Sequence, residues 1–178
     1  MRDLDQTRSS RILDAILRMV YRLGFPLARV WWRLRRPRHE GTLVAVHIDE
    51  KLLLVRSSYR TAWNFPGGTI RRGEIPEVAA RRELLEEIGL ADHPLVSAGV
   101  HSGIWDGRPD RVHFFELHLD RLPALRLDNR EIIGARLASA VELPGLKLTG
   151  PVIAYLRETS SSRGRPWPDP GETESCRG

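Results

Sequence analysis

Glu83, Glu86 and Glu87 stand at positions i, i+3 and i+4, so on an α-helix turning about 100° per residue the three carboxylates share one face, with Ala79 between them. The opposite side of the same wheel carries Val78, Ala80, Leu84, Leu85 and Ile88. Like charges at this spacing repel by roughly 0.2–0.5 kcal/mol per pair even on an exposed helix, so something positive should offset them. Arg82 on the same helix is one candidate; a hard divalent cation bound through oxygen is the other. Mg²⁺ suits such a face because it accepts one or two carboxylates, keeps several waters and completes its octahedron with substrate phosphates, and Mn²⁺ is a ready substitute. A solvated acidic face on an ordinary surface helix would carry the same three residues, so the surrounding segment must decide.

That segment reads Gly68, five residues, Glu74, seven residues, Arg82-Glu83-Leu84, one residue, Glu86-Glu87, one residue, Gly89-Leu90. It resembles, position by position and with no departure, the signature of the Nudix hydrolases, and so many set positions over 23 residues make the match specific. The resemblance extends to the preceding Trp63-Asn-Phe-Pro-Gly-Gly68 and, more weakly, to Gly41–Leu156. It implies an α/β fold, a Nudix-type α/β/α sandwich with a mixed β-sheet. It also implies Mg²⁺-dependent hydrolysis of a phosphoanhydride in a nucleoside diphosphate linked to another moiety, such as ADP-ribose or a nucleotide sugar. Carried over residue by residue, Glu83, Glu86 and Glu87 are metal ligands, the carbonyl of Gly67 is a backbone ligand, and Glu74 with Arg82 orients the glutamates. The chemistry is coherent: a diphosphate repels an attacking hydroxide, and divalent ions neutralise its oxygens and acidify water, leaving the protein to position the reactants.

A carboxylate must also take a proton from the attacking water. One of the helix glutamates is the first choice, and Glu131 in Asp128-Asn-Arg-Glu131 is the rival base or an additional ligand. On the substrate side, Arg56 and Arg60 flank Tyr59 just before the Gly-rich turn, and planar guanidinium forks suit phosphates. Trp63 and Tyr59 offer faces for a base, against core or rim packing for Trp63. His101-Ser-Gly-Ile-Trp105-Asp-Gly-Arg108-Pro-Asp110 reads as a polar loop between strands, with Trp105 facing substrate. His113 and His118 read as structural histidines.

Elements able to position these residues follow from periodicity. Gly41–Ile48 and Lys51–Arg56 are apolar runs separated by Asp49-Glu50, a hairpin of largely buried strands. Pro66-Gly67-Gly68 makes a turn, Gly73 another, and a helix starts near Pro76 and stops at Gly89. Further strands are expected at Leu95–Val100, Arg111–Leu119 and Glu131–Ala138, with a closing helix at Thr149–Arg157. Along Arg111–Leu119, alternation puts Val112, Phe114, Glu116 and His118 on one face and His113, Phe115, Leu117 and Leu119 on the other. Such an order of strands and helices indicates a layered α/β or α+β sandwich. Three segments result: an amphipathic helical arm over residues 1–38, a Nudix-like domain over 39–158, and a Ser-, Pro- and Gly-rich tail over 159–178 expected to be disordered.

The net charge of +5 over 178 residues divides unevenly. Residues 1–38 hold ten arginines against three acids, a net of +7, while the remainder nets −2. This distribution argues against a nucleic-acid binder with a basic stripe across its folded surface. One cysteine, Cys176, excludes a disulfide framework or a cysteine zinc site, and a reducing cytoplasm is the expected home. Charges at Asp14, Arg18, Arg22 and Arg29 interrupt the most apolar stretch, Ile12–Trp32, so neither a membrane span nor a secretory signal is expected.

The arm itself reads as two short helices: one carries Ile12, Leu13, Ile16, Leu17, Val20 and Leu23 in a stripe, and one begins near Pro26. Three uses are open for it: packing on its own domain or on a second copy in a homodimer, contact with an anionic membrane surface that would place the protein peripherally at the inner face, and RNA backbone binding. The expected partner of the domain is a nucleotide-type small molecule. An RNA 5′-end pyrophosphohydrolase and a non-catalytic nucleotide-binding module on the same fold are the alternatives, and three crowded glutamates are hard to account for in the second.

Overall fold

A computed structural model of the chain describes residues 15–17, 19–25 and 39–163. Six strands form one sheet: β1 (His39–Ile48), β2 (Lys51–Ser57), β3 (Gly67–Thr69), β4 (Val96–Trp105), β5 (Arg108–Leu119) and β6 (Ile132–Ser139). Residues 15–17 and 19–25 are helical and form α1. α2 spans Pro76–Ile88 and α3 spans Gly150–Arg163. Five strands run in the order β4-β5-β1-β2-β6, and β3 pairs with β1 beside them. β1 and β5 are parallel and the other pairs antiparallel, so the sheet is mixed.

Alternation along β1 divides the core in two. Leu43 and Ala45 point with Leu52, Leu54, Phe114 and Tyr155 into the layer beneath α3. Val44, Val46 and Ile48 point with Leu53, Phe115, Leu117, Leu84 and Ile88 into the layer beneath α2. The two layers make the α/β/α sandwich that the resemblance implies, and Val112–Leu119 alternates between them as expected. On the edge away from β5, β1 is shared between two partners: Val46–Ile48 pairs with β2, whereas Gly41–Leu43 pairs with the short β3. That fork opens the sheet at one end and brings the Gly67-Gly68 segment against β1.

α2 begins at Pro76, whose set φ suits the first helical position, and ends at Gly89, which is left-handed at φ 75°. The amides of Gly89 and Leu90 donate to the carbonyls of Leu85 and Leu84. Its orientation differs from the simple wheel. Ala79, Ala80, Leu84, Glu87 and Ile88 are buried, whereas Val78 and Leu85 are exposed. Two alanines let the helix lie close to the sheet on a side adjacent to the glutamate face rather than opposite to it. One glutamate is thereby carried inside.

Two other boundaries move. The expected loop His101–Asp110 is instead the tip of the β4–β5 hairpin, closed by Asp106-Gly107 with φ of 51° and 81°. Asp-Gly is a strong two-residue hairpin signal, and it lay in the sequence. α3 continues to Arg163, five residues into the segment expected to be disordered; the rest of that tail lies outside the described residues, as does the second arm helix. In α1 the stripe residues Ile16, Val20 and Leu23 are exposed. Contact with the domain comes instead from Tyr21 and Phe25, one turn apart on a neighbouring face. No helix among the described residues is long and apolar enough to cross a membrane.

Candidate active site

Arg82 is the hub of the glutamate face. Its Nε and Nη2 donate to the two carboxylate oxygens of Glu74 at 2.9 and 3.0 Å, a bidentate fork. Nη1 donates to Glu83 at 2.6 Å and, more weakly, to Glu86 at 3.3 Å, and Nη2 also reaches the Thr69 carbonyl. Held by Arg82 and by the Arg71 amide, the Glu74 carboxyl sits at about 2. Glu74 and Arg82 thus clamp the loop after β3 to the helix. The clamp also sets where the Glu83 carboxylate lies.

Glu87 differs from its neighbours. Its side chain is buried and accepts a hydrogen bond from the Gly67 amide at 2.8 Å. Burial pushes its carboxyl well above the usual range against that hydrogen bond, and the nearby charges of Glu131, Glu83 and Asp128 push the same way. Burial likewise raises Glu83. A carboxylate that resists ionisation because it is desolvated among other acids is one a cation would relieve. The donor set is all oxygen, which fits a hard divalent ion.

Gly67 makes this approach possible. Its φ is +139°, and a Cβ there would lie 2.2 Å from the Thr42 carbonyl oxygen. Only glycine occupies such a position without strain. At Gly68 a Cβ would stand 2.7 Å from the Glu83 carboxyl carbon, so both glycines leave room for the glutamates.

Glu131, just ahead of β6, joins the cluster from across the sheet. The Asp128 carboxylate accepts from the amides of Arg130, Glu131 and Ile132, an Asx-type turn that sets the end of the loop. The Asp128 and Arg126 amides donate to the carbonyls of Glu87 and Ile88, tying the same loop to the end of α2. Tyr59 donates its hydroxyl to Glu131 at 2.6 Å. Burial and the Glu131 charge raise the Tyr59 phenol, keeping it a proton donor to that carboxylate.

Arg82, Glu83, Glu86, Glu87, Glu131 and Tyr59 line a cleft of about 1210 Å³. Of the five residues expected on the substrate side, Tyr59, Arg60 and Trp105 lie on its walls. Arg60 is paired with Asp106 at 2.7 Å. The Trp105 ring fills the space that side chains at Gly103 and Gly150 would need. Arg56 and Trp63 are not among the lining residues: the Arg56 guanidinium lies 5.2 Å from the Trp63 ring, and Trp63 packs against the core beneath α3. Alternation explains this, since Val55 and Ser57 reach the cleft and Arg56 between them points away. Sequence reasoning had not singled out His39, which lines the cleft bridging Asp110 and Thr69 at 2.8 and 2.9 Å, and had read the arm aromatics Tyr21 and Phe25 as suited to a membrane surface rather than placing them at the cleft.

A second cluster lies on the other face of the sheet. His47, Glu116 and His118 bring ligand-type atoms within 4.8 Å of one another. The His47 and His118 rings stack in parallel, 4.5 Å apart and 9° from coplanar orientation, so their nitrogen lone pairs do not converge. Tyr155 of α3 donates to Glu116 at 2.7 Å. This is a hydrogen-bonded network under α3, separate from the cleft.

The family model of the NUDIX domain matches residues 37–157. An RNA pyrophosphohydrolase from Hydrogenovibrio crunogenus is 42% identical over 48 residues, 27% of this chain and 29% of that protein, so the match spans less than a third of the relative. The phosphatase NudJ of Escherichia coli is 29% identical over 123 residues, 65% of this chain and 78% of its own length. Among solved structures, the MutT NUDIX hydrolase from Burkholderia pseudomallei superposes with a TM-score of 0.61 at 22% identity, over 68% of this chain and 97% of that one, which establishes likeness of fold. With the domain matched over most of its length and the signature glutamates, glycines and arginine assembled around one cleft, the chain belongs to the Nudix hydrolase family.

Proposed function

We propose that the protein hydrolyses a phosphoanhydride bond in a nucleoside diphosphate linked to a second moiety, using Mg²⁺ held by Glu83, Glu86, Glu87 and the carbonyl of Gly67, with Mn²⁺ as a substitute. The observation that carries this reading is the buried Glu87, desolvated among Glu83, Glu131 and Asp128 at the floor of the cleft. When bound, the divalent ion supplies charge neutralisation for the phosphate oxygens and acidifies water. The protein's own residues do the rest. Arg82 and Glu74 set the position of Glu83; the Gly67 amide sets that of Glu87; Tyr59 and the Asp128 turn set that of Glu131. A helix glutamate takes the proton from the attacking water, with Glu131 as the rival base.

The test is a screen of purified protein with Mg²⁺ or Mn²⁺ against ADP-ribose, nucleotide sugars, dinucleoside polyphosphates, nucleoside triphosphates and 5′-triphosphorylated RNA. The expected result is metal-dependent cleavage of a nucleoside diphosphate derivative. Preference for triphosphorylated RNA would favour the alternative suggested by the short match to an RNA pyrophosphohydrolase. No turnover on any of them would favour a binding module.

Metal binding should also depend on pH in a definite direction. The folded-state values of Glu83 and Glu87 lie above their ordinary value of 4.5. Without metal, these groups therefore make folding less favourable as pH rises from about 4.5 through their folded values. A divalent ion needs the ionised form and reverses that cost. The rise in melting temperature on adding Mg²⁺ is expected to be small near pH 5 and larger near pH 8. An equal rise at both would remove the metal from this cluster.

A further inference from the structure

The arm stands outside the family signature, yet its helix reaches the cleft. Val20, Tyr21, Gly24 and Phe25 line the same cavity as Glu83, Glu87 and Glu131. The Phe25 ring lies 4.8 Å from the ring of Tyr59 and the Tyr21 ring 6.0 Å from it, both tilted by about 40–45°. Arg60 places its guanidinium 4.7 Å from the Phe25 ring and 5.7 Å from that of Tyr59, anchored at its far side by Asp106. A Cβ added at Gly24 would meet nothing within 4 Å, so the helix is open to the cleft beside its aromatic residues. Tyr59 ties this group to the carboxylates through its bond to Glu131. An aromatic wall flanked by the Arg60 guanidinium thus begins one side chain away from the acidic floor.

The geometry points to a nucleobase subsite built by the arm: Tyr21 and Phe25 offer ring faces to the base of a nucleoside diphosphate, and Arg60 stands between that base and the phosphates. The inference rests on reading the cleft as catalytic. Its chemistry follows from the parts. Aromatic faces stack on any base without selecting strongly among them, and an arginine can serve both π-face and phosphate. Of the stripe, Val20 borders the cleft beside Tyr21 and Phe25, whereas the exposed Ile16 and Leu23 do not line it and are left for another role.

The experiment uses the full chain with Mg²⁺ and compares binding of ADP, GDP, CDP and UDP with binding of inorganic pyrophosphate, by calorimetry, in wild type, Tyr21→Ala, Phe25→Ala and Phe25→Leu. Loss of a stacking platform should weaken nucleoside diphosphate binding about 5- to 100-fold in all three variants. Pyrophosphate binding should be unchanged. Phe25→Leu keeps apolar bulk for docking the helix, so full recovery of affinity in this variant would assign Phe25 to packing and overturn the subsite. Unchanged nucleotide affinity in the alanine variants, an equal fall for pyrophosphate, or no nucleotide binding by wild type would also overturn it. A nucleotide-specific fall in a protein without hydrolytic turnover would support the subsite while the hydrolase reading fails, so the two can be told apart.

Discussion

Glu87→Gln is expected to lower kcat/KM by about 10³-fold or more while leaving the fold standing. On the proposed reading the substitution removes one anionic ligand from a site that must stabilise several kcal/mol of transition-state charge, and each 1.36 kcal/mol is tenfold in rate. The fold survives because glutamine is isosteric and its side-chain oxygen can still accept from the Gly67 amide. Stability without metal should hold or rise, since a buried charge resisting ionisation has been replaced by a neutral group. Glu86→Gln should cost comparable activity. Its carboxylate is about half exposed, so its loss should scarcely move the melting temperature. Steady-state kinetics with thermal melts in EDTA check both, and full activity in both variants would end the assignment. A large loss in Glu131→Gln with unchanged Mg²⁺ binding would name Glu131 as the base.

Gly67→Ala is expected to be the most destabilising single change in this region, by about 3–5 kcal/mol, combining a strained backbone with overpacking. At φ +139° the new Cβ would lie 2.2 Å from the Thr42 carbonyl oxygen and 2.9 Å from the Leu43 Cα. Both are backbone atoms of β1, so relief requires breaking the β1–β3 pairing that presents the Gly67 amide to Glu87. For a domain of this size the loss corresponds to roughly 10–20 °C in melting temperature. Gly73→Ala is the control. Its φ is +79° but a Cβ there meets nothing within 4 Å, so about 1 kcal/mol is expected. Gly68→Ala should fall between them and cost activity first, because its Cβ meets the Glu83 carboxylate, a side chain that can shift. Equal melting temperatures for the Gly67 and Gly73 variants would refute the close-approach argument.

Within single elements, the chain was legible in detail. The 3, 4 spacing of Glu83, Glu86 and Glu87 placed three carboxylates together because helical geometry is local. Gly89 ended α2 in the left-handed conformation that glycine adopts most cheaply. Alternation along β5 sorted Phe114 from Phe115 into different layers. The wheel described the faces of α2 without saying which would lie on the sheet. Alanines at 79 and 80 allowed close approach there, and the rotation they permit exposes Leu85 and buries Glu87. Arg56 and Trp63 look like substrate contacts because they are near Gly67 in sequence, yet a one-residue change of parity on β2 sends Arg56 away from the cleft.

From residue types and spacing alone came the acidic face, its counter-ion Arg82, the glycine stop of α2 and five of the six strands; the short β3 stands where a turn was expected. Those are properties of neighbours along the chain, set by backbone periodicity and charge. Tertiary structure decided which carboxylate loses its water, that Glu131 joins Glu87 from another loop, and that the rings of Tyr21 and Phe25 bring the arm to the cleft. The reason is desolvation. Burial of a charge and the meeting of rings from distant segments depend on how layers close over one another, and spacing within one segment carries no information about that distance.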